Sequence, residues 1–175
     1  MKTAILFFLL LLFSVDIISQ TMIENRFGTV YRYQSDFTSF PHEERANGYI
    51  YQENHYSADI HYRDSTVLLF IPKYLKVNND IDFIFYFHGW RNNIDSTISR
   101  FNLIKQFYES GKNGILILPE TAKNSPDSFG GKLEEKNIFQ KLVNEISGVL
   151  QRELEIKHNP PTHKQEKIKE LIDFS

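Results

Sequence analysis

Cysteine is absent from this 175-residue chain. Disulfides, thiolate zinc sites and a cysteine nucleophile are thereby excluded. An excess of one charge is lacking too: 20 Lys and Arg stand against 22 Asp and Glu. The chain therefore carries no electrostatic footprint for nucleic acid or an anionic membrane. Methionine and tryptophan are scarce, at two and one, whereas 15 Phe and nine Tyr point to an aromatic-rich core. No apolar run approaches the roughly 20 residues of a spanning helix. What remains is the composition of a soluble globular protein, long enough for one domain.

Residues 1–20 read as a secretory signal peptide: Lys2 is the positive start, Ala4 to Phe13 the apolar stretch, and Asp16 with Ser19-Gln20 closes it. The expected compartment is extracellular or periplasmic, and an uncleaved membrane anchor is the alternative. Residues 21–47 are weakly patterned, with Val30–Tyr33 as a short strand. His42-Glu43-Glu44-Arg45 reads as a solvated loop.

The chain is organised around Asp82-Phe-Ile-Phe-Tyr-Phe-His-Gly-Trp-Arg91. An apolar, aromatic run of this kind suits a strand buried on both faces of a parallel sheet. It stops at His88-Gly89, and Gly89 lets the backbone turn. Upstream, Asn47-Gly48 opens a strand at Tyr49–Tyr51, and Ala58–Tyr62 and Thr66–Ile71 read as a hairpin. Asp59 and His61, with His55, have no metal-ligand spacing and read as ordinary polar positions. Downstream, Asp95 is a helix-cap candidate. Ile94, Ile98, Phe101, Ile104 and Phe107 recur at helical spacing up to Gly111. Ile115–Leu118 is a short strand, so the unit is β–α–β and should cross over right-handed. A loop from Thr121 to Lys132 follows. The next helix starts at Glu134-Glu135 and carries Ile138, Leu142, Ile146 and Leu150 on one face. His158-Asn159-Pro160-Pro161 then breaks the chain, and residues 155–175 form a polar tail with a short capped helix. The last strand, Ile115–Leu118, is expected to keep an open edge.

Tyr62-Arg63-Asp64, Ile71-Pro72, Phe87-His88-Gly89-Trp90, Leu118-Pro119-Glu120 and Asp127-Ser128-Phe129-Gly130-Gly131 together resemble secreted bacterial proteins of the α/β-hydrolase fold, of the esterase or depolymerase kind. The resemblance spans about residues 48–154. It implies an α/β fold holding the N-terminal half of a hydrolase-like sheet, antiparallel first and then parallel. It also implies an oxyanion loop at His88, Gly89 and Trp90, with the donor on the backbone of Trp90 and Arg91 as a second candidate. Asp127, Ser128 and Gly130 would lie on a substrate loop. A plain β–α turn with an aromatic plug is the alternative for His88–Trp90.

The departure from that family is large, because the chain contains no Gly-x-Ser-x-Gly. Pro126-Asp-Ser128-Phe-Gly130 lies on a loop and Ser147-Gly148 inside a helix. His158 and His163 come too early to complete a triad. The chain thus reads as truncated before the nucleophile strand. Two functions follow as expectations. One is an exported serine esterase or acyl hydrolase that keeps the oxyanion half, is inactive as given, and needs a missing C-terminal half. Its substrate would be a small-molecule or polymeric ester. The other is a secreted non-catalytic module that binds a glycan or polymer through Tyr49, Tyr51, Tyr56 and Tyr62. Neither reading calls for a cofactor or a metal.

Overall fold

Apolar residues at alternating positions draw five strands into one mixed sheet. The computed structural model describes residues 20–77 and 79–158, with side chains as far as Leu154. Strands β1 (Thr21–Glu24) and β2 (Gly28–Gln34) come first, then a separate hairpin, β3 (Tyr49–Tyr51) and β4 (Asn54–Tyr56). A helical turn, α1 (Ala58–His61), precedes β5 (Thr66–Pro72) and β6 (Asp82–Phe85). Helices α2 (Ile94–Phe101) and α3 (Leu103–Glu109), strand β7 (Gly114–Pro119) and helix α4 (Ile138–His158) complete the fold.

The five-stranded sheet has the order β1-β2-β5-β7-β6. Its first three pairings are antiparallel, and β6 and β7 are parallel. The architecture is therefore mixed α/β, antiparallel at one side and closed by a β–α–β unit at the other. Residues of β5 and β7 alternate between two apolar layers. Leu69 and Ile117 join Leu142, Ile146 and Leu150 of α4. Leu68 and Leu116 join Ile94, Leu103 and Phe107 of α2 and α3. The long helix and the α2–α3 pair thus cover opposite faces.

Several sequence expectations need correction. The run at Asp82–Phe85 is not a strand buried on both faces. No described strand pairs with its outer edge, and Phe83, Ile84 and Phe85 stay half-buried. The fully buried strands are β5 and β7. Since β7 has neighbours on both sides, the open edge expected at Ile115–Leu118 belongs to β6 instead. The segment read as weakly patterned supplies β1 and all of β2, whose Tyr31 and Tyr33 are buried in the core. Ala58–Tyr62 is not a strand. It makes one helical turn, and its expected partner β5 pairs with β2 and β7 instead. The single helix expected to Gly111 is two, because Asn102 adopts the left-handed conformation at φ 46°, which Asn tolerates better than most residues. Helix α4 begins at Ile138, after a 3-10 turn at Gly131–Glu134.

Candidate functional site

Strand β2 is antiparallel to β5, β5 to β7, and β7 is parallel to β6. The carboxyl ends of β2, β6 and β7 therefore share one edge of the sheet, where crevices form in open α/β folds. The loops leaving these three strands enclose a cavity of about 470 Å³. His88, Gly89 and Trp90 line it from the loop after β6, and Asp127, Ser128 and Gly130 from the loop after β7. Ser39, Thr121 and Phe139 line it as well. None of these three was singled out in the sequence. Ser39 sits in an unpatterned stretch, and Phe139 reads as one more residue of an amphipathic helix.

The His88 ring is buried. Its side chain is 2% exposed and Glu120, just beyond β7, is 3% exposed. The imidazole Nε2 bonds Glu120 Oε1 and lies 2.9 Å from Thr121 Oγ1, while Nδ1 is 3.1 Å from the Gly89 carbonyl. Two acceptors, Glu120 and the Gly89 carbonyl, meet opposite ring nitrogens and favour the imidazolium, while the Thr121 amide points a donor at Nε2 from 3.4 Å. Burial opposes that charge, but the bonds to Glu120 and the Gly89 carbonyl outweigh it, so the His88 pKa stands above its ordinary value. The second oxygen of Glu120 accepts from the Ile94 N–H, the first amide of α2, at 3.3 Å. One buried carboxylate thus fixes both ends of the loop between β6 and α2.

That loop is also joined along its length to the loop after β7. The Arg91 amide donates to the Ser125 carbonyl at 2.9 Å and the Asn124 amide to the Asn92 carbonyl at 2.7 Å. Asn93 caps α2 by accepting from the Ser96 amide at 2.9 Å, a role the sequence had pointed to at Asp95. Asp95 pairs with Arg32 instead. The left-handed turn falls on Arg91, at φ 52°, rather than on Gly89. Arg91 is therefore no oxyanion donor, since its N–H is already used. The amides of Gly89 and Trp90 have no acceptor among the described residues and sit in the cavity wall. A β-carbon at Gly89 would meet nothing within 4 Å. The space in front of this backbone is open, so its glycine answers to room for a ligand rather than to a crowded turn.

The opposite wall is held by ion pairs. Asp127 is bonded by Arg45 Nε at 2.7 Å and by the Phe129 amide at 2.9 Å. Burial raises the Asp127 pKa, but these bonds overcome it and hold the carboxyl below its usual range. Arg45, read from sequence as part of a solvated loop, lies over the rings of Tyr49 and Phe129. Gly130 donates to Glu134 at 2.7 Å, leaving Ser128 as the substrate-loop residue whose side chain makes no described bond. Ser39 is fully buried, and its hydroxyl has no partner among the described residues. Gly131, at φ 57°, presses against Ser39: a β-carbon there would lie 2.0 Å from the Ser39 carbonyl.

No family model matches the chain, and neither a curated protein nor a solved structure does. The site is therefore read from its own geometry. That geometry offers two unbonded backbone donors at the carboxyl edge of a sheet, a fixed loop behind them, and apolar walls from Phe87, Trp90, Phe129 and Phe139. Among the described residues no group of three His, Asp or Glu is placed to hold a metal. Asp59 pairs with Arg63 and His61 bonds the Lys123 carbonyl, so each already has a partner. No described helix is long and apolar enough to cross a membrane. The segment read as a signal peptide lies outside the described residues except for Gln20, and of the tail expected at residues 155–175 only residues 155–158 are described, as the end of α4.

Proposed function

We propose that this protein is an exported, serine-hydrolase-like acyl-binding protein, related to the esterases of the α/β-hydrolase fold and inactive toward esters on its own. The observation that carries the reading is the pair of unbonded amides at Gly89 and Trp90, presented at the carboxyl end of β6 by a loop that Glu120 and Ser125 hold in place. Unbonded N–H groups on a fixed loop that lines a cavity are what a tetrahedral acyl intermediate draws on, because such donors stabilise its oxygen without reorganising. Among the described residues no serine beside them is bonded to a histidine. The chain has no Gly-x-Ser-x-Gly, and His88 directs its ring to Glu120, Thr121 and Gly89 rather than to a nucleophile. Turnover then depends on a nucleophile-bearing half supplied from outside residues 1–175.

The test is a titration of the protein with a short-chain nitrophenyl ester, followed by amide NMR and by nitrophenolate release. The expected result is a saturable shift of the Gly89 and Trp90 amides with no release above background. Absence of any shift there refutes acyl binding. Release that a serine-directed fluorophosphonate abolishes refutes the inactivity.

A second reading, a secreted glycan- or polymer-binding module, draws on the aromatic rim. Trp90 is 55% exposed and meets Tyr51 edge-on at 5.6 Å, and Tyr51 stacks beside Tyr49. Tyr62 takes no part, since it is buried against Phe40 and bonded to Ser125. Tyr56 packs on His61. Retention on a polysaccharide gel that Trp90→Ala abolishes would favour this reading.

A further inference from the structure

Three large rings of the cavity wall stay open to solvent. Phe87, Trp90 and Phe139 line the cavity and are 46%, 55% and 42% exposed. Each is braced by another ring: Phe85 stacks beside Phe87 at 6.2 Å and tilts against Phe139 at 4.9 Å, and Tyr51 meets Trp90 edge-on at 5.6 Å. Exposed rings gathered at one cavity offer their surface to a ligand rather than to the core. Phe129 offers less, because Arg45 already stands over its ring at 4.6 Å.

The charges of the lining do not cancel. Asp127 is balanced by Arg45, and His88 by Glu120. Glu134 has no such partner among the described residues. The Gly130 amide donates to one of its oxygens at 2.7 Å, which holds the side chain in place, and the other oxygen makes no described bond. Among the described residues neither a lysine nor an arginine lines the cavity. The wall therefore combines one uncompensated carboxylate with exposed ring faces. An anion is repelled by it, and a neutral apolar body leaves the carboxylate unanswered. An ammonium ion carrying alkyl groups suits both features. Its charge is attracted by the carboxylate and by the negative faces of the rings, and its alkyl surface packs on those rings. Neither attraction needs its partners to converge on a single atom. The volume falls within the range of small-molecule sites.

We propose that this cavity binds an alkylated organic ammonium ion, its charge beside Glu134 and its alkyl groups against Phe87, Trp90 and Phe139. The proposal goes beyond the acyl-binding reading and does not depend on it. The Gly89 and Trp90 amides and the Ser128 hydroxyl remain for neutral polar atoms of the same ligand.

The experiment titrates the full chain with choline, with its neutral isostere 3,3-dimethylbutan-1-ol, and with the anion 3,3-dimethylbutanoate. Emission of the single tryptophan and the shift of the Gly130 amide report binding. Choline is expected to saturate with a dissociation constant of about 1 mM. The isostere should bind at least about fivefold more weakly, and the anion more weakly still. Glu134→Gln keeps an acceptor for the Gly130 amide and removes the charge. It should weaken choline about threefold to fivefold and leave the isostere unchanged. Trp90→Ala, followed at Gly130, should weaken choline about fivefold. Both side chains are exposed, so the melting temperatures should stay close to that of the wild type. Equal binding of choline and its isostere, or tighter binding of the anion, overturns the cation assignment. Unchanged choline affinity in Glu134→Gln overturns the part given to that carboxylate, and in Trp90→Ala the part given to the rings. Saturation by none of the three probes overturns the site. The acyl-binding reading is judged apart from all of these, by the Gly89 and Trp90 amide shifts with the nitrophenyl ester.

Discussion

At the residue scale, the His88–Glu120 pair decides whether the loop holds its shape. Removing Glu120 leaves a buried imidazole facing no carboxylate and frees the Ile94 amide. Glu120→Ala should therefore cost about 3–5 kcal/mol in denaturant melts. The pair also sets a pH dependence. The His88 pKa is raised in the folded state above its ordinary value. Its contribution is then fully present below the unfolded value and lost as pH rises through the folded one. Stability of the wild type should fall across that window, and His88→Gln should remove that part of the slope. An identical pH–stability curve for the two proteins would refute the assignment. Little of this pair was legible in the sequence. His88 is visible because the apolar run ends on it, but the sequence marks it only as part of a backbone turn. Its partner lies 32 positions away, and only the parallel register of β6 and β7 brings the two together. Gly89 and Trp90 line a cavity at the end of β6, but not as packing residues. The glycine is not crowded, and the indole is more exposed than buried, so neither residue is a large packing element.

At the element scale, short local signals misled where long-range pairing or packing overrode them. Tyr31-Arg-Tyr-Gln34 carries polar residues through a strand, yet Tyr31 and Tyr33 bury because β5 runs alongside. Ala58–Tyr62 alternates like a strand but closes a helical turn so that Tyr62 can reach Phe40 and Ser125. The hairpin β3–β4 turns at Gln52 and Glu53, both with φ near +50° to +65°, where Asn-Gly would be the usual signal. Gly131 is the case in which composition did announce geometry. Its left-handed φ and the Ser39 carbonyl behind it leave no room for a side chain. Gly131→Ala should destabilise by about 1–3 kcal/mol, and the loop bearing Asp127 and Ser128 should shift away from Ser39. Gly130→Ala meets only the flexible side chain of Glu134, so its cost should be smaller. Equal melting temperatures for the two variants would show that the 3-10 turn does not depend on contact with Ser39.

At the scale of the whole molecule, the outer edge of β6 stands apart, since no described strand pairs with it. The Asp82 and Tyr86 amides bond to the β7 side, at Asn113 and Ile117. By the alternation of a parallel ladder, Phe83 and Phe85 turn their N–H and C=O groups to the free edge. Neither a proline nor a lysine within β6 blunts that edge. The two helical layers indicate where a further strand would go. The crossover from β6 to β7 uses α2 and α3 on one face, and α4 leaves β7 across the other. A right-handed crossover on the opposite face reverses direction, so the next parallel strand would lie beside β6. It would then flank the Gly89–Trp90 loop, at the point where strand order reverses and ligands collect. Left unpaired, the same edge should recruit strands from other copies. The chain by itself is expected to associate with rising concentration, seen by light scattering. The Phe83 and Phe85 amides should gain protection from hydrogen exchange in step with it. The Ile84 amide, which faces β7, should be protected throughout. A monomer at every concentration, with Phe83 and Phe85 exchanging freely, would show that the exposed edge is tolerated without a partner.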